Sequence, residues 1–243
     1  MADEARGDLA DVLAAAARAL STVTTVQETL DVIVALAVEV IPGADLAGFS
    51  IVAPETIRTP SSNGPIVVEL DALQGELGEG PCLSAIAEQS VCYSPDLSTD
   101  ARWPRFAPAA AKLGMGSLLA EPLFVGDRIL GALNLYSRRV DAFDEADMAT
   151  ALLFSTHAAI ALSQAQTRAG EVELTRQLRE AIESRDVIGQ AKGILMERER
   201  VDADAAFDML RRASQRLNVK LRDLAGRVVH ARDPDDSAAG APR

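Results

Sequence analysis

The stretch SLLAEPLFVGDRILGALNLYS, Ser117 to Ser137, holds two apolar runs of strand length separated by Gly126-Asp127. A Gly-Asp pair suits a two-residue primed turn, so the stretch predicts a β-hairpin. Toward the N-terminus, Trp103 to Leu113 has helical spacing, VCYSPDL reads as a strand ending at Pro95, and Cys82 to Glu88 reads as a helix. Pro65 to Leu70 is a short β-branched run, and LAGFSIVA (Leu46 to Ala53) is strand-like. Leu9 to Leu20 and Thr29 to Val40 repeat at helical spacing, the second ending at the break IPGAD, Ile41 to Asp45. Toward the C-terminus, Asp144 with Asp147 three residues on caps a long helix to Gln166. Helices flanking an antiparallel sheet make an α+β layer fold.

The helix after the hairpin is apolar on more than one side. Met148, Leu152, Thr156, Ala159 and Ser163 form one stripe, while Leu153, His157 and Ile160 form another. One stripe is expected to cover the sheet and the other to meet a second copy, giving a parallel homodimer along a helical spine. Only Arg168 to Glu171 separate this helix from the next periodic segment, with Gly170 the weak point. There, apolar or small residues recur at Leu174, Leu178, Ala181, Ile182, Ile188, Ala191, Leu195 and Met196. Asp202 can cap a second helix carrying Ala206, Phe207, Leu210, Ala213 and Leu217. Asn218 ends that helix or caps a third, with Leu221, Leu224, Ala225, Val228 and Val229. The C-terminal part is therefore a small all-α bundle of three helices.

Charge separates the two parts. The chain of 243 residues carries a net charge of −12, yet residues 171–232 hold 13 Lys+Arg against 11 Asp+Glu. An anionic polymer is repelled by the whole and tolerated at the C-terminal part, so a nucleic acid must meet that part at close range. The two cysteines, the acidic start at Asp3 and Glu4, and the lack of an uninterrupted apolar run of membrane length give the expectation of a cytoplasmic protein without a signal peptide or membrane partner. The final DPDDSAAGAPR lacks periodicity and reads as a disordered tail.

AIESRDVIGQAKGILM (Ala181 to Met196), followed by AFDMLRRAS (Ala206 to Ser214) and LRDLA (Leu221 to Ala225), resembles the ANTAR family of RNA-binding antiterminator domains. One departure is that ERERVDAD runs between the first two helices, where a small turn residue, often Gly, is expected; this predicts an altered turn in an intact fold. LDALQGELGEGPCLSAI, PDLSTDARWPRFA, the hairpin and AFDEAD are similar to the GAF family of small-molecule sensory domains. The resulting organisation is an N-terminal helical segment (1–28), a GAF domain (29–167), a helical linker (168–177), an ANTAR domain (178–232) and the tail (233–243). The resemblance implies an RNA partner, hairpin-bearing leader transcripts, with the basic residues Arg185, Lys192, Arg198, Arg211, Arg212, Arg216, Lys220 and Arg222 as the RNA-binding set. Ala181, Ala191 and Gly193 are read as close-packing positions, since small residues let helices approach. The GAF resemblance leaves open a small-molecule ligand of unknown identity or a domain that serves only for dimerisation, and no cofactor is expected. A helix-turn-helix DNA-binding factor and a coiled-coil adaptor remain open on the helices alone.

Enzymatic chemistry finds little footing. Some GAF proteins are free methionine sulfoxide reductases whose cysteines include a pair at the spacing of Cys82 and Cys92, but those enzymes also place a catalytic cysteine just before the hairpin. Here that place holds Leu113-Gly114-Met115-Gly116, so no attacking thiolate is present there. Cys82 and Cys92 remain a candidate redox pair beside the alternative of inert buried thiols. His157 is a lone histidine without a haem signature, no metal-ligand cluster is present, and GELGEG lacks the preceding strand of a nucleotide loop. No catalytic residue is assigned, and Trp103 with Phe106 is read as an anchor for a loop over the sheet.

Overall fold

The structure, a computed structural model, describes residues 2–53 and 56–231, so the expected tail lies outside the described residues. It divides into two compact units, Met1–Ala169 and Gly170–Arg243.

In the first unit, α1 (Ala2–Thr22) and α2 (Val26–Val40) precede β1 (Leu46–Ala53) and β2 (Thr56–Ser62). Then come α3 (Pro65–Leu77), α4 (Pro81–Glu88), β3 (Cys92–Ser94) and α5 (Phe106–Lys112). The hairpin strands are β4 (Ser117–Val125) and β5 (Arg128–Ser137), followed by α6 (Glu145–Glu199). The five strands form an antiparallel sheet in the order β2-β1-β5-β4-β3. Val125 pairs with Arg128 across the two-residue turn, and Gly126 adopts φ +58 as its first central residue, the φ sign of a type II′ turn.

Alternation along the strands sends side chains to two separate cores. On one face Leu119, Leu123, Leu133 and Leu135 meet Ile33 and Ala37 of α2 and Phe154, Ala158 and Leu162 of α6. On the other, Leu118, Ala120 and Tyr136 meet Val67 and Leu70 of α3, Ala85 of α4, and Trp103, Phe106 and Ala110. Trp103 is indeed a buried anchor, its Nε1 donating to Ser84 Oγ at 3.1 Å with the Arg102 guanidinium over its ring. Helix α6 begins as expected: Asp144 Oδ1 accepts from Asp147 N at 2.8 Å, and Asp144 N donates to Asp147 Oδ2 at 3.3 Å.

Two readings of this unit are corrected, and one strand is added. The β-branched run at Pro65 opens α3, where Gly64-Pro65 is a helix start and Val67, Leu70 and Gln74 recur on the buried side. The strand β2 was not anticipated, because TIRTPSS is mostly polar and buries only Ile57 and Ser61. In α6 the sheet is covered by Ala151, Phe154, Ala158, Leu162 and Ala165, while Leu152, Leu153, Thr156, His157 and Ile160 are exposed; of the first stripe only Ala159 is buried. By length and composition α6 is also apolar enough to cross a membrane, with 39% of its most apolar window buried inside the protein. Its buried face is a wall of the core and supplies part of that composition.

In the second unit, α6 continues helically through Gly170 and is followed by α7 (Ala203–Leu217) and α8 (Leu221–His230). The apolar stripe of α6 changes character along its length. Val172, Leu174, Leu178 and Ile182 are exposed, Ile182 to 62%, whereas Val187, Ile188, Ala191 and Leu195 pack with Leu210, Ala225, Leu221, Val228 and Val229. Arg200 adopts φ +52, a left-handed conformation that glycine takes without strain. The altered turn is therefore present and is made by an arginine. Asp202 caps α7 by accepting from Ala205 N at 2.8 Å, and Asn218, at φ +52, is the C-cap of α7 and not the start of α8.

Candidate nucleic-acid interface and sensor-domain sites

In α7, Ala206 and Leu210 face inward, which turns Arg211, Arg212 and Arg216 to solvent. Arg185, Arg198, Lys220 and Arg222 are also exposed, while Lys192 is half-buried. Acidic neighbours stand beside Arg211 and Arg222. Arg211 Nη2 lies 2.9 Å from Asp208 Oδ1, and Arg222 lies 3.5 Å from Asp223 and 4.0 Å from Glu180. Surface pairs of this kind hold little energy and exchange readily for phosphate. Arg212, Arg216 and Lys220 have no ion pair among the described residues.

The close-packing reading holds for Ala191, which is fully buried, and fails for the other two residues. Ala181 is exposed, and a Cβ on Gly193 would meet nothing within 4 Å. Gly193 thus leaves an open patch of helix surface beside Lys192.

The first unit holds a buried polar network that sequence reasoning missed. Asp71, on α3, points at the sheet and is fully buried. Its Oδ2 accepts from Ser50 Oγ at 2.5 Å and Thr59 Oγ1 at 2.9 Å; its Oδ1 accepts from Tyr136 OH at 2.6 Å and Asn134 Nδ2 at 2.9 Å. Burial pushes the Asp71 carboxyl up, and the four donors pull it back. Gln74 extends the network, donating from Nε2 to Tyr136 OH at 3.4 Å and accepting at Oε1 from Cys82 N at 2.9 Å. Gly80 admits this arrangement, since a Cβ there would overlap the Gln74 side chain. The signal for the network was the polar residues inside otherwise apolar strands, Ser50 in LAGFSIVA and Asn134 in ALNLYS.

The two cysteines are free thiols, both buried. Burial, with the Asp71 charge beside it, pushes the Cys82 thiol up to about 12. Burial also pushes Cys92 up, against the pull of Arg102. Neither environment generates a thiolate near neutral pH, the form that redox or nucleophilic chemistry requires. Met115 stands buried before the hairpin. His157 is exposed, with Nδ1 2.7 Å from the Leu153 carbonyl oxygen. No group of three or more His, Cys, Asp or Glu fit to hold a metal is found among the described residues.

A sensory α+β domain followed by a basic three-helix module defines a two-domain regulatory protein. A GAF domain family model matches residues 23–163 and an ANTAR domain family model matches residues 176–229, so the chain belongs to the GAF family and carries an ANTAR domain after it. ANTAR is an RNA-binding antitermination module and GAF a signal-sensing one. No curated protein matches the chain. Among solved structures, the GAF domain of an Acinetobacter phosphoenolpyruvate-protein phosphotransferase aligns with TM-score 0.53 and 14% identity, covering 67% of this chain and 97% of that one. A free methionine-R-sulfoxide reductase from Neisseria meningitidis, in complex with its substrate, aligns with TM-score 0.54 and 19% identity, covering 65% and 90%. The chromophore-binding domain of a bacteriophytochrome from R. palustris aligns with TM-score 0.54 and 10% identity, covering 66% and 63%. At these identities the likeness is one of fold.

Proposed function

We propose that the protein is a non-catalytic, cytoplasmic regulator that binds paired hairpins in nascent leader transcripts through its ANTAR domain and promotes transcription antitermination. The observation that carries this reading is the division of α7 into an inward face of Ala206 and Leu210 and an outward face of Arg211, Arg212 and Arg216. RNA of this kind is read through loop bases and backbone, because the A-form major groove is too narrow for side chains. Binding stabilises one RNA fold over a competing terminator hairpin, which needs differential affinity and no bond chemistry. The raised thiols of Cys82 and Cys92 and the cysteine-free Leu113 to Gly116 support the non-catalytic reading.

Two RNA modules at fixed spacing require two chains, and a homodimer along α6 supplies them. In the first unit exposed Leu153 and Ile160 stand seven residues apart, and in the second exposed Leu174 and Leu178 stand four apart, each a spacing found along a coiled-coil seam. The GAF domain in this account takes the signal and biases the seam or the RNA face. Binding of the full chain to a two-hairpin RNA, its duplex DNA equivalent and a loop-mutated RNA tests the proposal. Loop-dependent binding to RNA alone supports it, and equal binding to the DNA duplex overturns it. Sedimentation showing only monomer at about micromolar concentration, where an interface worth about 8 kcal/mol is half formed, removes the dimer.

A further inference from the structure

Strand β3 is short: Cys92 to Ser94 pair with Ala120 to Leu118, and β4 runs on to Val125 without an outer neighbour. Pro122, which has no N–H to leave unpaired, stands in this bare stretch. Gln89, Ser90 and Val91 approach it from the end of α4, and Leu152, Ser155, Thr156 and Ala159 approach from α6. Together with Glu121, Pro122 and Phe124 they enclose a recess of about 190 Å³. It lies on the α2 and α6 face of the sheet, opposite the Asp71 network, because Glu121 shares the parity of Leu119 and Leu123.

Glu121 is 2% exposed, and its Oε1 has no hydrogen-bond partner. Among the described residues it is the only charged side chain lining the recess; neither α6 nor the Gln89 to Val91 segment brings a second one. The hydroxyls on α6 do not relieve it. Ser155 Oγ donates to Leu152 O at 3.0 Å and Thr156 Oγ1 to the same oxygen at 2.8 Å, so both protons are committed and the hydroxyl oxygens remain as acceptors. Around Glu121 and along α6 the recess thus offers acceptors whose own protons are committed, its free donors, the Gln89 amide and the Ser90 hydroxyl, standing on the exposed Gln89 to Val91 segment, and Val91, Phe124 and Leu152 form an exposed apolar rim. Its complement is a donor-rich cation on a hydrocarbon body.

We propose that this recess is a ligand site of the GAF domain for a small organic cation, an amine or amidine borne on an apolar group. The nitrogen donates to Glu121 and to the Ser155 and Thr156 oxygens, and the hydrocarbon lies against Phe124, Val91 and Leu152. The inference rests on the sensory role proposed for the domain but concerns binding alone, so loss of the RNA reading leaves it standing. Burial pushes the Glu121 carboxyl up to about 7, so cation binding and proton binding compete at the same group near neutral pH.

The test is a chemical-shift titration of the full chain with benzylamine and with its neutral counterpart benzyl alcohol. Benzylamine is expected to shift the Phe124, Leu152 and Thr156 signals saturably at about millimolar concentration, with the alcohol roughly tenfold weaker. Affinity for the amine is expected to fall about tenfold from pH ~8 to pH ~6 as Glu121 takes a proton. Glu121→Gln keeps the side-chain shape and is expected to lose the amine's advantage over the alcohol. Equal binding of amine and alcohol, an unchanged amine affinity in Glu121→Gln, or no saturable shift up to about 20 mM, beyond the range of a weak specific site, overturns the proposal. Measuring RNA affinity with and without bound amine separately reads whether the site feeds the regulator.

Discussion

The GAF and ANTAR units of this chain place their polar chemistry on opposite sides of their surfaces. In the first, carboxyls, hydroxyls and amides are drawn inside the fold: Asp71 sits among four donors, and Glu121 is buried beside a recess with an oxygen unpaired. In the second, the fully buried residues are few and apolar, Ala191, Leu210 and Ala225 among them, and the cations stand outside. A domain that discriminates a small molecule needs desolvated polar groups in fixed geometry. A domain that holds a polyanion needs its charges in water, where phosphates reach them. Substitutions inside the first unit should therefore move stability and its pH dependence, and those outside the second should move affinity.

The largest stability effect is expected from Asp71→Ala. Removing the shared acceptor leaves the buried Ser50, Asn134 and Tyr136 donors and the half-buried Thr59 without it, a loss of about 3 to 5 kcal/mol. Thermal unfolding of the variant should show a Tm lower by on the order of 10 °C. A loss below about 1 kcal/mol would mean the network is not the organiser of that face.

Glu121→Gln should act in the other direction and only at higher pH. The folded carboxyl titrates at about 7, above its ordinary 4.5, so the folded chain keeps a proton that the unfolded chain has released between those values. Stability consequently falls as pH rises through that window and levels off above it. Gln cannot ionise, so the variant should lack this decline, gaining on the order of 2 to 3 kcal/mol at pH ~8 and almost nothing at pH ~4. Denaturant unfolding across that range checks it; a gain independent of pH would contradict the buried, ionising carboxyl.

The smallest effect belongs to the second unit. Arg200 holds the left-handed turn between α6 and α7, and Arg200→Gly should stabilise that unit by up to about 1 kcal/mol. Amide exchange of α7 and α8 is the readout, with slower exchange expected and RNA affinity little changed.

What the sequence reveals of each unit follows from the range of the forces involved. The hairpin and the C-terminal helices are legible because turn chemistry at Gly126-Asp127 and the spacing of Ala206, Leu210 and Ala213 are local. The α6 stripe that covers the sheet is hidden because much of it is alanine, Ala151, Ala158 and Ala165, whose small side chains weigh little beside Leu152 and Leu153. Glu121 reads as a polar residue in a strand with a solvent side. It becomes buried because α6 and the Gln89 to Val91 segment close over it, elements far from it in sequence. Asp71 is obscured in the same way, since its partners come from β1, β2 and β5. The exposure of the basic residues of α7 follows from its helical spacing, a local property, whereas the half-burial of Lys192 depends on packing within the unit.

The most direct test of the central claim is the salt dependence of the full chain's affinity for a two-hairpin RNA, measured for the native protein and for Arg211→Ala with Arg212→Ala. The account expects the double variant to bind about tenfold or more weakly, with its slope of log K against log salt reduced by about 1 to 2 and its folding stability unchanged. Unchanged affinity and slope in a folded double variant would contradict the assignment of the RNA face to α7.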